Sequence, residues 1–168
     1  LVGYNYFHWH LTDDQGWRFS VPGYDKVREI SSKRYIYDNN DQNHIHQGLY
    51  EREDLEEIRD FCEERGITII PEIEMPGHAE ALLAAYPEFG CTGNKIDVQN
   101  NWGVFENVMN PSSPSLWEFL DAAVKELSSI FHGPFIHIGG DECPHTQWEN
   151  HPGCLKIMEE NGLKNTSE

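Results

Sequence analysis

Asp141 and Glu142 stand side by side at the end of HIGGDE (137–142), behind two glycines and the apolar run PFI. Neighbouring like charges repel and are costly to desolvate, so the pair needs a reason. Acid–base chemistry is one. Beside an ionised neighbour, one of two adjacent acids keeps its proton to higher pH. Gly139 and Gly140 would let the backbone bend so that both side chains reach one ligand. The competing reading is a carboxylate pair capping a helix that follows DECPHT. More ionisable groups lie in DDQGWR (13–18) and MPGHAE (75–80). With DECPHTQW (141–148), these loops offer two carboxylate pairs, His78, and aromatic surface from Trp17 and Trp148.

Each loop follows an apolar run with a period of two: NYFHWHLT (5–12), ITIIPEIE (67–74) and FIHIGG (135–140). Phe7, Trp9 and Leu11 share one face of the first, opposite His8, His10 and Thr12. In the second, Ile67, Ile69 and Ile73 oppose Thr68, Ile70, Glu72 and Glu74. In the third, Ile136 and Ile138 oppose His137 and Gly139. Between and after the runs come three helical patterns. In REDLEEIRDFCEERG (52–66), Leu55, Ile58, Phe61 and Cys62 follow helical spacing and Gly66 supplies a stop. SPSLWEFLDAAVKELSSIF (113–131) opens on Ser-Pro and repeats apolar residues on one face. TQWENHPGCLKIMEENG (146–162) is interrupted by Pro152 and Gly153. Strand alternating with helix predicts an α/β fold of right-handed βαβ units with parallel strands.

Parallel strands covered on both faces read as nearly unbroken apolar runs. Here one face of each strand is ionisable near its C-terminal end, which suits a barrel wall whose rim faces a polar site. A one-sided sheet with a wet face is the alternative. Three βα units cannot close an eight-stranded barrel of about 250 residues, so the chain reads as a portion of one. Association through its exposed barrel edges is then expected.

The bulk composition narrows the partners. With 12 Lys and Arg against 29 Asp and Glu, the formal net charge is −17, which disfavours nucleic acid and anionic membrane surfaces. No apolar run has the length of a membrane span. Cys62, Cys91, Cys143 and Cys154 show no zinc-ligand spacing. Cys62 reads as an inert core residue, and Cys143 with Cys154 is a candidate pair. NTS (165–167) is a formal glycosylation sequon, a pattern that also arises by chance.

FHWHLTDDQGWR, GITIIPEIEMPGH and HIGGDE, in that order and spacing, resemble successive signatures of the β-N-acetylhexosaminidases of glycoside hydrolase family 20. YEREDLEEIRDFCEERGI, GVFENVMNPSSPSLWEFL and NHPGCLKIMEENGLK extend the resemblance over essentially the whole chain. It implies a (β/α)8 TIM barrel, of which residues 1–168 would supply roughly strands 2 to 4. It implies that Glu142 is the general acid/base and that Asp141 orients the substrate's own 2-acetamido group, the nucleophile of a substrate-assisted reaction. By the same resemblance, Asp13 and His78 are substrate-site residues that form a relay toward the acid/base. Asp14 either assists Asp13 or caps the loop. Glu74 stands where the family most often has Asp. His8, His10 and His137 either hydrogen-bond beneath the site or are structural. No metal or other cofactor is implied. The implied partners are N-acetylhexosamine glycans, whether chitobiose-like, N-glycan or peptidoglycan-derived, and the implied location is secreted or periplasmic. Two rival readings remain. HWH resembles the HxH metal pair of barrel metallohydrolases, with His8 and His10 as ligands. The other is a non-catalytic carbohydrate-binding segment.

Overall fold

The computed structural model describes residues 3–37 and 43–167. Strand β1 (Tyr6–His10) leads into two short strands, β2 (Thr12–Asp13) and β3 (Gly16–Trp17), which pair antiparallel across a tight turn. A π-helical turn (Val27–Ser31) precedes an antiparallel pair, β4 (Lys33–Tyr37) and β5 (Asn43–Gln47). Helix α1 (Arg52–Glu63) and strand β6 (Thr68–Glu72) follow. The remaining helices are α2 (Glu80–Ala85), α3 (Pro114–Ile130), α4 (Thr146–Asn150) and α5 (Pro152–Asn161).

The expected parallel pairing is present. β1 lies parallel to β6, with Tyr6 opposite Thr68 and His10 opposite Glu72. The third run, 135–140, does not form a strand. It makes a single parallel bridge, Glu72 to His137, in which His137 N donates to Pro71 O at 2.9 Å and Ile73 N to His137 O at 3.0 Å. Phe135 and Ile138 stay exposed. Among the described residues nothing pairs with the outer side of this run, and Gly139 and Gly140, at φ +65° and +107°, leave the extended conformation. The fold is therefore mixed α/β with one two-stranded parallel ladder and a bridged third segment.

Helix α1 starts at a capping box, in which the Glu51 side chain accepts from the Asp54 backbone and Glu51 N donates to Asp54 Oδ2 at 2.8 Å; such reciprocal caps satisfy two otherwise orphaned donors. It buries Leu55 and Cys62, while Phe61 faces solvent beneath the Arg65 guanidinium. Helix α3 opens with Pro114 after Ser113 and buries Leu116, Phe119, Leu120, Ala123, Leu127 and Ile130, one stripe at three- and four-residue spacing. Against that stripe packs an aromatic group. The Phe119 ring lies 5.1 Å from Trp17, 4.8 Å from Tyr24 and 5.4 Å from Phe89. Trp17, 1% exposed, is thus part of the core and offers no surface to a ligand. The 146–162 pattern breaks at His151, because Pro152 cannot continue α4 and instead opens α5. No helix among the described residues is long and apolar enough to cross a membrane.

Candidate active site

β1 and β6 deliver their C-terminal ends to the same side, so the loops at 13–18 and 75–80 start as neighbours. Glycine lets the 141–148 loop join them. A Cβ on Gly77 would sit 3.3 Å from Asp141 O and from Cys143 Cα, and one on Gly139 would collide with the Glu74 carboxylate. The backbone is left-handed at Gly139, Gly140 and Glu142, and again at His78, whose φ is +46°. That region is uncommon for residues with side chains and clusters at functional sites.

His78 is the joint of the three loops. Its Nδ1 lies 2.8 Å from Asp14 Oδ2 and 3.5 Å from Asp13 Oδ1, and its Nε2 lies 3.6 Å from Glu142 Oε2. Asp14, 1% exposed, also accepts the Glu80 backbone N–H on Oδ1 at 3.0 Å. Burial raises the Asp14 carboxyl above its ordinary value, against the lowering effect of the Glu80 N–H and of His78. Burial works to lower the His78 imidazole, but the hydrogen bond and charge of Asp14, with Asp13 and Glu74, outweigh it and hold the imidazole above its ordinary value. The relay expected from Asp13 and His78 thus has Asp14 as its closest carboxylate, with Asp13 at the edge. Asp13 Oδ1 accepts from Asp14 N at 2.6 Å, and the Asp13 side chain remains partly exposed.

Asp141 and Glu142 are exposed at the rim. Of the residues singled out in the sequence, the structure therefore gathers Asp13, His78 and Glu142 around one point, with Asp141 preceding Glu142 in the same exposed loop. Trp148 is partly buried, its Nε1 donating to Met109 O at 2.9 Å.

Beneath the rim lie two buried acids, and burial of charge calls for partners. Glu72 takes His8 Nε2 at 2.6 Å and His137 Nδ1 at 2.7 Å, tying β1, β6 and the 135–140 segment together. Glu74 has His10 Nε2 at 3.6 Å on one oxygen, while its Oε2 is buried without a hydrogen-bond partner. Burial, then the charges of Glu72 and Asp141, push its carboxyl up to about 7. His8 and His10 therefore serve different carboxylates. Donor atoms of His8, Glu72 and His137 lie within 4.8 Å of one another, as do those of His10, Glu72 and Glu74 and of Asp13, Asp14 and His78, so each set has the reach to hold a cation.

A further buried acid is Glu80, the last residue of MPGHAE. It is 2% exposed and binds the side chains of Gln99 and Asn107, the latter at 2.9 Å. Gln147 Nε2 donates to Asn107 Oδ1 at 3.1 Å and closes the chain of contacts back to the loop of the acids. A charged residue opening the otherwise apolar EALLAA was the one available signal.

Comparison with known proteins points the same way. The glycosyl hydrolase family 20 catalytic-domain profile matches residues 1–168. A β-hexosaminidase of Porphyromonas gingivalis is 40% identical over 164 residues, covering 98% of this chain and 21% of that protein. One from Akkermansia muciniphila is 39% identical over 166 residues, covering 98% of this chain and 33% of its own length. The chain thus spans a third or less of these curated relatives. A crystal structure of a β-N-acetylhexosaminidase superposes with a TM-score of 0.91 at 40% identity, over 96% of this chain and 34% of the other. An exo-β-N-acetylglucosaminidase from Vibrio harveyi, solved with N-acetylglucosamine, gives 0.80 at 34% identity, over 96% and 26%.

Proposed function

The chain belongs to glycosyl hydrolase family 20, and from that premise we propose that residues 1–168 are part of the catalytic (β/α)8 barrel of an exo-acting β-N-acetylhexosaminidase. The substrate is a glycan with a terminal, β-linked N-acetylglucosamine or N-acetylgalactosamine. The observation that carries this reading is the His78 imidazole, which reaches Asp14 on one side and Glu142 on the other across three loops.

In the proposed reaction Glu142 protonates the glycosidic oxygen. The 2-acetamido carbonyl oxygen attacks the anomeric carbon as the leaving sugar departs, so no carboxylate nucleophile is needed. Asp141 accepts the acetamido N–H and stabilises the positive charge that develops on the resulting oxazolinium ion. Glu142, now ionised, takes a proton from the water that opens the ring, and configuration is retained. His78 holds the Glu142 carboxyl and buffers its proton, with Asp14 fixing the imidazole's orientation.

Substrate assistance is tested at Asp141. In the full-length enzyme, Asp141→Asn should lower turnover of an aryl N-acetyl-β-glucosaminide by about 100-fold or more, because a fixed charge facing the developing cation is lost. A rate within a factor of about two of wild type would end this mechanism, since such a factor is under 0.5 kcal/mol of transition-state stabilisation.

A further inference from the structure

Behind the loop of the acids lies a second set of reactive side chains with no place in the reaction above. Cys91 follows the bridge between Gly90 and Met109, and its Sγ rests 4.0 Å from Met109 O. Cys154 is in the first turn of α5, and its Sγ lies 3.4 Å from Oδ1 of the next residue, Asn110. The two thiols thus rest against consecutive residues of one segment, Met109 and Asn110, close enough for each to influence the other's ionisation. Cys91 and His151 line a cavity of about 290 Å³ with Thr146 and Gln147. Cys91 is half-buried, while Cys154, in contact with His151, is 3% exposed. The pairing suggested by the sequence, Cys143 with Cys154, is not what the fold sets up. Cys143 turns to Pro144 O, and its backbone abuts Gly77. All four cysteines are free thiols.

We propose that Cys91 and Cys154 are a dithiol that closes to a disulfide, clamping the segment after α2 to the start of α5. The oxidant is a small-molecule or protein disulfide. The Cys91 thiolate attacks one sulfur of that disulfide, forming a mixed disulfide and releasing a thiolate. The Cys154 thiolate then attacks the Cys91 sulfur, forming the Cys91–Cys154 bond and releasing the second thiolate. The two protons lost by the cysteines end on the two released thiols, so the protein loses two electrons and the oxidant gains them.

The site is built for the second step. His151 Nδ1 lies 3.6 Å from Cys154 Sγ, where it can take the proton, and the first turn of a helix favours a thiolate, against the burial that holds the Cys154 thiol above its ordinary value. The first step is the slow one. Burial, then the neighbouring Cys154 and the Cys143 thiol, push the Cys91 thiol up to about 12, leaving little thiolate at neutral pH. Closing the bond removes one buried and one half-buried thiol and fixes a long loop, one that contains both the Asp141–Glu142 pair and the Trp148 contact to Met109.

The test is a thiol map of the protein after equilibration with mixed oxidised and reduced glutathione, alkylation under denaturing conditions and digestion. The expected result is one cross-linked peptide pair joining Cys91 to Cys154, with Cys62 and Cys143 alkylated. The oxidised protein should melt about 10 °C higher than the reduced one, the scale of a cross-link that closes a long loop. Cys91→Ser should abolish that difference and Cys143→Ser should keep it. Recovery of Cys91 and Cys154 as alkylated thiols, as glutathione adducts only, or with Cys154 bound to Cys143, would overturn the proposal. Because the map is read on the wild-type protein, it decides the matter even if a serine variant does not fold.

Discussion

Replacing Glu74 by glutamine should change how stability depends on pH, and the structure sets the size of the change. Glu74 is 4% exposed. Burial first, then Glu72 and Asp141, push its carboxyl from 4.5 up to about 7. The folded protein therefore holds this proton more tightly than the unfolded chain does. The resulting stabilisation is complete below 4.5, declines as pH rises through about 7 and is gone beyond it. That gap, at about 1.4 kcal/mol per pH unit, corresponds to roughly 3 kcal/mol. Glutamine keeps the shape and cannot ionise. Relative to wild type, Glu74→Gln should gain roughly 3 kcal/mol between acid conditions and about pH 8. Urea unfolding at a series of pH values, followed by tryptophan fluorescence, reads the difference directly because Trp17 is buried. A difference that stays flat across this window, or that moves in favour of wild type, would refute the reasoning.

Two further outcomes follow from the geometry. Asp14→Asn removes the carboxylate that faces His78 at 2.8 Å. Turnover should fall about 10- to 100-fold, the loss of one charge-assisted hydrogen bond, and the His78 imidazole should titrate at lower pH by NMR. An unmoved imidazole titration would show that Asp14 does not act through it. Gly139→Ala places a methyl group against the Glu74 carboxylate at a φ of +65°. It should cost about 1–3 kcal/mol in unfolding free energy, and an unchanged denaturation midpoint would contradict the close approach of these two loops.

How far the sequence could be read depended on whether a residue's type settles its surroundings. Tyr6–His10 and Thr68–Glu72 were legible because period-two alternation and a helix between them leave parallel pairing as the simple outcome. Helix α3 was legible from its Ser-Pro start and apolar stripe. The β4–β5 pair carries no such signal. KRYIY and NHIHQ carry polar residues on both faces, and Tyr35, Ile36 and Ile45 in this pair are exposed. The 135–140 run had the composition of a strand but makes only one bridge, because regular pairing needs a partner that composition cannot supply. Trp17 stands beside two acids in DDQGWR, where an aromatic reads equally well as ligand surface or as core, and packing on Phe119 decided for the core. Asp13 and Asp14 are adjacent and chemically identical. Only the fold reveals that the second is buried against His78 while the first stays at the edge. Glu80, Gln99 and Asn107 belong to no local pattern, being far apart in sequence and joined only by the buried carboxylate they share.

The central claim is that Glu142 delivers the proton to the departing sugar, and one comparison tests it most directly. Glu142→Gln in the full-length enzyme is assayed on two N-acetyl-β-glucosaminides, one with a good phenolic leaving group and one with a sugar leaving group. The account predicts a loss of about 100- to 10,000-fold on the sugar-linked substrate, the range for removing a general acid. The loss should be distinctly smaller on the activated phenol, which departs without protonation. Equal losses on both substrates, or near-wild-type turnover of the sugar-linked one, would contradict it.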